Sequence, residues 1–470
     1  MESSHLILVL RTLSKKEERD LRKWLCSPVH NQREDVAQLF EYLMAGRHLW
    51  EEKFLRKERV FSRLFPDEPY DDAKLRQSMH FLLKAVEEFL IYQEQRGDEV
   101  RARMALSSVY RKRKLDRAFR KAIKGVETLQ EKAPYRNEQF LRNEYLLQIE
   151  KYQFQEGKKR TTEMNLQEVS DALDTTFIAD KLRQTCLMLA HQAVYKAEYR
   201  IGLLDEVLDY VGQNQLENVP AIAAYYFVYR SITDREHSGA YFEKLKELIK
   251  YKGDLFPHHE LRDIYLMAIN YCVSRINAGD SGMRVELFEL YRNGIEDETL
   301  IENNALSHFT FRNIVNLGTA LKEFDWVNRF ISGYQHYLSD KYRETFVQFS
   351  KAKLHFTKRE YDQAMQLLAQ SDFDDILTNL YGKSMLIIMY YEQDELDALE
   401  SLLDSMRTYM RRKQVMGSYK AIYTNLIKYS RKLIRINPFD REQVSKLHQE
   451  IQSANPLPEK QWFVEQLEKL

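Results

Sequence analysis

The densest group of chemically versatile side chains in the chain is Pro257-His258-His259-Glu260, two imidazoles beside a carboxylate. A metal ion needs such ligands to converge, and adjacent residues on a helix diverge by about 100°, whereas an i, i+4 pair can clamp one ion. The segment therefore reads as a helix start with solvated polar residues. Asp374-Asp375 and Glu87-Glu88 diverge in the same way, and solvated charge is their expected state. Cys26, Cys186 and Cys272 are too far apart for a disulfide framework or a zinc site, and are expected to pack as small apolar residues. No nucleotide-cradling, dinucleotide, zinc-protease, C-x-x-C or nucleophile-elbow motif occurs. With only 15 glycines, mostly scattered singly, there is little from which to build a phosphate-binding loop. The expectation is a protein that is not an enzyme, with no catalytic residue, metal or cofactor.

Charge is more informative. Lys plus Arg equals Asp plus Glu at 71 each, yet residues 101–135 carry 11 basic and 3 acidic side chains, and residues 405–437 carry 9 and none. From Arg113 to Leu129, the residues Leu115, Phe119, Ala122, Val126 and Leu129 make an apolar stripe at helical spacing, with Arg113, Arg117, Arg120 and Lys124 opposite. From Ser418 to Arg435, Ile422, Leu426, Tyr429 and Leu433 make the stripe, with Lys428, Arg431, Lys432 and Arg435 facing outward. These are two basic amphipathic helices. Each is either a solvated face or a contact for nucleic acid or an acidic protein; neither shows the second apolar face that a membrane surface would require.

The elements that must carry these side chains are helices. Pro (9) and Gly are scarce, 44% of residues are apolar and 30% charged, a balance that favours long amphipathic helices over β-turns. Ser14-Lys15-Lys16-Glu17 and Asn31-Gln32-Arg33-Glu34 predict capping boxes, and Gly46 and Gly97 predict helix ends. A helix beginning near Asp71 would bury Leu75, Met79, Leu82, Val86 and Phe89. Breaks are expected near Ala133-Pro134, Gly157, Pro220, Gly253, Gly279 to Gly282, Gly294 and Gly417. The 29 tyrosines and 24 phenylalanines suit inter-helix packing, although tyrosines on a concave face could serve a peptide. The longest apolar run, Ala221 to Tyr229, is nine residues, short of a membrane span.

Three segments align without gaps: Lys322-Glu323-Phe324-Asp325, Arg359-Glu360-Tyr361-Asp362 and Asp394-Glu395-Leu396-Asp397, spaced by 37 and 35 residues. Upstream lie Val315/Leu317, Ala352/Leu354 and Ile387/Met389; downstream lie Val327/Phe330/Ile331, Ala364/Leu367/Leu368 and Leu399/Leu402/Leu403. These offsets put one apolar face on each helix of a pair, and such pairs must stack to close their core. With Ala352, Tyr361, Ala364 and Leu368 in characteristic positions, residues 315–413 resemble the tetratricopeptide repeat. Lys322, Arg359 and Asp394 stand where that repeat has glycine, Ser339, Ile376 and Arg411 where it has proline, and Val327 and Leu399 where it has alanine. The resemblance implies a stack of irregular helix pairs with a partner-binding surface. Between about 136 and 300 the likeness is one of helix length.

A second likeness lies in residues 57–77. Lys57-Glu58-Arg59-Val60-Phe61-Ser62-Arg63-Leu64-Phe65-Pro66 followed by Leu75-Arg76-Gln77 is similar to the helix-turn-helix of bacterial regulators that join a winged helix to tetratricopeptide-like repeats. That likeness implies that Lys74, Arg76 and Gln77 face a major groove. Glu87, Glu88 and Glu94 would then meet phosphates with the wrong sign, and no strand pair follows to form a wing. The other reading of the segment is a plain capping bundle.

The expected fold is all-α: an N-terminal helical bundle over 1–100, then an irregular tetratricopeptide-like α-solenoid of antiparallel helix pairs over 101–470. The expected function is a non-catalytic scaffold or adaptor that binds a protein or peptide. The alternative is a nucleic-acid-associated regulator using the N-terminal helix-turn-helix and the basic helices. No membrane partner is expected, and without a basic or long apolar leader the chain is assigned to the cytoplasm.

Overall fold

In the computed structural model, residues 1–156, 163–195, 197–369, 376–413 and 417–470 are described; Gly157 and Asp374-Asp375 lie outside them. Among the described residues there are 23 α-helices and no strand, and helix accounts for 77%. No helix there is long and apolar enough to cross a membrane. The chain forms two compact units, Met1–Asp180 and Lys181–Leu470.

The first unit begins with a bundle of α1 (His5–Leu10), α2 (Lys15–Leu25), α3 (Glu34–Met44), α4 (Lys57–Leu64) and α5 (Asp72–Gly97). Its apolar core runs from Leu6 to Phe89 and includes the expected Leu75, Leu82, Val86 and Phe89. Ser14 caps α2 through a capping box: its hydroxyl accepts from the Glu17 N–H at 3.3 Å while its own N–H donates to the Glu17 carboxylate at 2.8 Å. The second expected box is absent. The Asn31 side chain turns back to donate to the Leu25 and Arg33 carbonyls, so α3 starts only at Glu34. Cys26, expected to be packed, is exposed because it caps the end of α2, whereas Cys186 and Cys272 are buried.

Next come α6 (Glu99–Lys112), α7 (Asp116–Lys132) and α8 (Glu138–Glu156), with their own cluster of Phe119, Ile123, Val126 and Leu147. The N-terminal cluster ends at Phe89 and the next includes Val100, while the boundary between the compact units falls inside α9 (Leu166–Val194).

The second unit continues through α10 (Leu204–Gln213), α11 (Pro220–Thr233), α12 (Ser238–Lys252), α13 (His258–Asn277) and α14 (Met283–Glu296). It proceeds through α15 (His308–Ala320), α16 (Phe324–Tyr334), α17 (Asp340–Thr357), α18 (Tyr361–Ala369), α19 (Ile376–Glu392) and α20 (Leu396–Arg412). It closes with α21 (Gly417–Arg435), α22 (Arg441–Ser453) and α23 (Lys460–Glu468). Antiparallel neighbours pair as α11 with α12, α13 with α14, α15 with α16, α17 with α18 and α19 with α20. The first helices also stack on one another, α15 on α17, α17 on α19 and α19 on α21, which makes this unit a solenoid.

Four hairpins share one turn. Lys114, Lys322, Arg359 and Asp394 adopt φ of 56°, 63°, 62° and 61°, the left-handed region that normally takes glycine. In each, the next residue's N–H reaches back five residues: Leu115 to Tyr110, Glu323 to Gly318, Glu360 to His355 and Glu395 to Tyr390, at 2.8 to 2.9 Å. This double-bonded helix end satisfies carbonyls that would otherwise be unpaired, and it aims the chain into the next helix. The apolar pattern follows from it. Seven residues before the turn residue lie Ser107, Val315, Ala352 and Ile387, and five residues after it lie Phe119, Val327, Ala364 and Leu399, all buried.

Two expectations about single residues need correction. Gly294 does not break a helix but sits inside α14, where an added Cβ would lie 2.9 Å from Leu300 and 3.2 Å from Tyr265; it is a packing glycine. Leu115, expected in the buried stripe, is exposed because it belongs to the hairpin turn and α7 starts after it.

Lys322→Gly and Arg359→Gly should each stabilise the fold by about 0.5–1 kcal/mol by relieving the left-handed strain. Asp394→Gly should gain less, since a short polar side chain tolerates this conformation. Lower denaturant midpoints for the lysine and arginine variants would contradict this account of the turn. Gly318→Ala should go the other way, costing about 1–3 kcal/mol, because its Cβ would fall 2.5 Å from the buried Val327 side chain and 3.0 Å from Phe288. Thermal melts would show the opposed signs.

Candidate functional site

The shared turn places equivalent positions of successive first helices on one face. Six residues before each turn residue stand Asn316 of α15, Lys353 of α17 and Ile388 of α19, and all three line one groove of about 740 Å³. Phe356, Tyr381 and Trp462 supply aromatic walls, while Arg284, Arg359, Glu392 and Glu459 supply charge.

The two carboxylates of the groove differ. Glu392 is saturated: one oxygen accepts from the Tyr361 hydroxyl at 2.6 Å and the other from the Trp462 indole N–H at 2.9 Å. Burial alone would raise its pKa, but these two donors, with Arg359 and Lys469, hold it below the usual carboxylate range. Burial, together with the same bond, pushes the Tyr361 phenol up. Tyr361 is half-buried with its hydroxyl tied to α19, and its neighbour Asp362 is exposed. Glu459, by contrast, is exposed.

Lys353 is half-buried, its ammonium 5.2 Å from the Phe356 ring centroid and in no ion pair among the described residues. Burial lowers its pKa, and only the field of Glu459 works in the other direction. A cation partly stripped of water and only weakly compensated is a cost to the fold and a ready contact for an anion. Charge counting along the sequence missed it because Lys353 lies in neither basic segment. The signal that could have found it is its place in the repeat frame, aligned with Asn316 and Ile388.

The basic segments divide in a way their composition does not indicate. Arg431 pairs with Asp404, Lys432 with Glu450, and Arg435 approaches Glu400 at 3.6 Å. Of that group, Lys428 alone remains exposed without an ion pair among the described residues, lying over the Tyr429 ring. The acidic partners, Glu400 and Asp404 of α20 and Glu450 of α22, lie outside the basic run in sequence. In the first segment Arg113 ends α6 rather than sharing α7 with Arg117, Arg120 and Lys124; all four are exposed, with no ion pair among the described residues.

The remaining candidates carry no converging chemistry. His258 and His259 are exposed, as expected, but Glu260 is buried and accepts from the Tyr225 hydroxyl at 3.1 Å. Among the described residues no three His, Cys, Asp or Glu side chains are placed to hold a metal. In the 57–77 segment, Lys74 donates to Glu68 and Arg76 to Asp72, so two of the three side chains expected to face DNA already have carboxylate partners. A cavity of about 480 Å³ beside Cys186, Val228 and Met267 holds the Ser238–Tyr271 hydroxyl pair, 2.5 Å apart. Comparisons with protein-family models, with curated proteins and with solved structures find no match to the chain, so the chemistry of these surfaces alone carries the functional reading.

Proposed function

We propose that the chain is a non-catalytic interaction protein that holds an acidic peptide segment of a partner protein in the groove across α15, α17 and α19. The observation that carries this is Lys353: a half-buried ammonium in no ion pair among the described residues, in a groove whose half-buried Glu392 carboxylate already accepts two hydrogen bonds. A carboxylate of the peptide would supply the missing charge, and Phe356, Tyr381 and Trp462 would pack its apolar parts. The tetratricopeptide likeness of 315–413 supports the same use of the surface. A scaffold of this kind works by presenting a rigid curved face, so it needs no cofactor. The cytoplasmic location expected from the sequence belongs to this proposal.

The direct test is fluorescence anisotropy with labelled eight-residue poly-glutamate and poly-glutamine peptides. Poly-glutamate should bind more tightly, and Lys353→Met should weaken it by about tenfold or more, which corresponds to about 1.4 kcal/mol. Equal affinity for both peptides, or an unaffected variant, would reject the groove as the site.

Stability should respond in the opposite sense. A lysine whose folded pKa is lowered binds its proton more weakly in the native than in the unfolded state, so native stability rises with pH between the folded pKa and the unfolded value near 10.5. At neutral pH the charge is therefore a burden, and Lys353→Met should raise the denaturant midpoint by the equivalent of about 0.5 kcal/mol or more. The gain should disappear at about pH 11. A loss of stability at neutral pH would show that the ammonium is compensated within the fold.

A further inference from the structure

The first unit carries a separate charged surface. Lys112, Arg113 and Lys114 at the α6–α7 turn, and Arg117, Arg120, Lys121 and Lys124 along α7, are all exposed, and none is in an ion pair among the described residues. Their neighbours behave differently. Arg101 pairs with Asp98 at 3.0 Å, Arg103 with Glu99 at 2.7 Å and Arg111 with Glu150 at 3.0 Å. The fold thus commits three arginines of this segment to internal carboxylates and leaves a contiguous set of cations free.

On α7 the geometry is that of a stripe. At about 100° per residue, Arg117, Arg120, Lys121 and Lys124 lie within an arc of about 100° and span about 10 Å of helix axis. Phe119, Ala122, Ile123 and Val126 occupy the opposite, buried face. Of the three carboxylates of the segment, Glu127 is occupied by Lys151 at 2.6 Å, Asp116 has a partner of its own, and the exposed Glu131 lies about two helical turns beyond Lys124.

We infer that this stripe, together with the turn cations, binds the phosphate backbone of a nucleic-acid duplex without reading its sequence. Three features favour phosphate over an acidic protein or a membrane. The stripe on α7 itself carries no aromatic or aliphatic anchor of the kind that dominates protein interfaces; the exposed Val109 and Leu115 lie on α6 and at the turn instead. It has no aromatic on which unpaired bases could stack, which points to a duplex rather than a single strand. It also lacks the apolar face that inserts between lipids. Phosphate binding needs none of these, because release of condensed counterions supplies the affinity.

The test is anisotropy of a labelled 20-base-pair DNA duplex over a salt series from 50 to 200 mM, using the full chain. Wild type should bind in the micromolar range at low salt, with log affinity falling linearly against log salt. The combined Arg117→Gln, Arg120→Gln, Lys121→Gln, Lys124→Gln variant should lose at least about tenfold in affinity, and its slope should shrink by about 3–4. The matched variant Lys428→Gln, Arg431→Gln, Lys432→Gln, Arg435→Gln should stay within about twofold, since three of those cations are spent on internal carboxylates. Circular dichroism melts of both sets establish that they fold. Lys353→Met should bind the duplex like wild type, which keeps this proposal separate from the groove. No duplex binding by wild type at 50 mM salt, equal losses in the two charge variants, or equally tight binding of poly-glutamate or of phosphatidylserine vesicles would overturn the inference.

Discussion

A single residue forced into the left-handed conformation at the end of the first helix sets the geometry of four hairpins. The chain must turn back within three residues if the second helix is to cover the apolar face of the first, and the double hydrogen bond that closes the helix requires positive φ at that point. Lys114, Lys322, Arg359 and Asp394 accept the strain. Packing outweighs it: a strain of about 1–2 kcal/mol at one residue is small beside several fully buried aliphatic side chains in each hairpin.

The groove is a consequence of this repetition. Once the turns fix the phase of each pair, residues at one offset on α15, α17 and α19 share a face, and Asn316, Lys353 and Ile388 come together although 35 or more residues separate neighbours. Stacking then removes water from Lys353 with only the exposed Glu459 as a nearby counter-charge, while Tyr361 and Trp462 each donate a hydrogen bond to Glu392. The contrast separates a structural charge from a spare one. A buried ion that the fold fully satisfies contributes order, whereas a half-buried ion that the fold leaves unsatisfied lowers stability and persists more readily where something else compensates it.

Pairing likewise sorts the surface charge. The two basic segments look alike in composition and in helical spacing, yet among the described residues one lies against carboxylates of its neighbours and the other does not. Arg431, Lys432 and Arg435 lie against α20 and α22, whose Glu400, Asp404 and Glu450 are at hand. Among the described residues the exposed face of α7 meets no such neighbour, so its cations retain their field toward solvent.

The sequence by itself determined the helical class, the starts of α16, α18 and α20 at Phe324, Tyr361 and Leu396, and the buried offsets around them, because helix periodicity and apolar spacing are local properties. It also indicated which residues replace the usual turn glycine, though not that they would adopt glycine's conformation. Tertiary structure alone decided which charges are spent. The Asn31 side chain chose the Leu25 carbonyl over a helix cap, Gly294 served a close approach instead of a turn, and Glu260 went inside while its histidine neighbours stayed out. Each outcome depends on a partner far away in the chain or on a space that exists only after packing. Linear spacing encodes the face a residue occupies; what stands opposite that face is set by the fold.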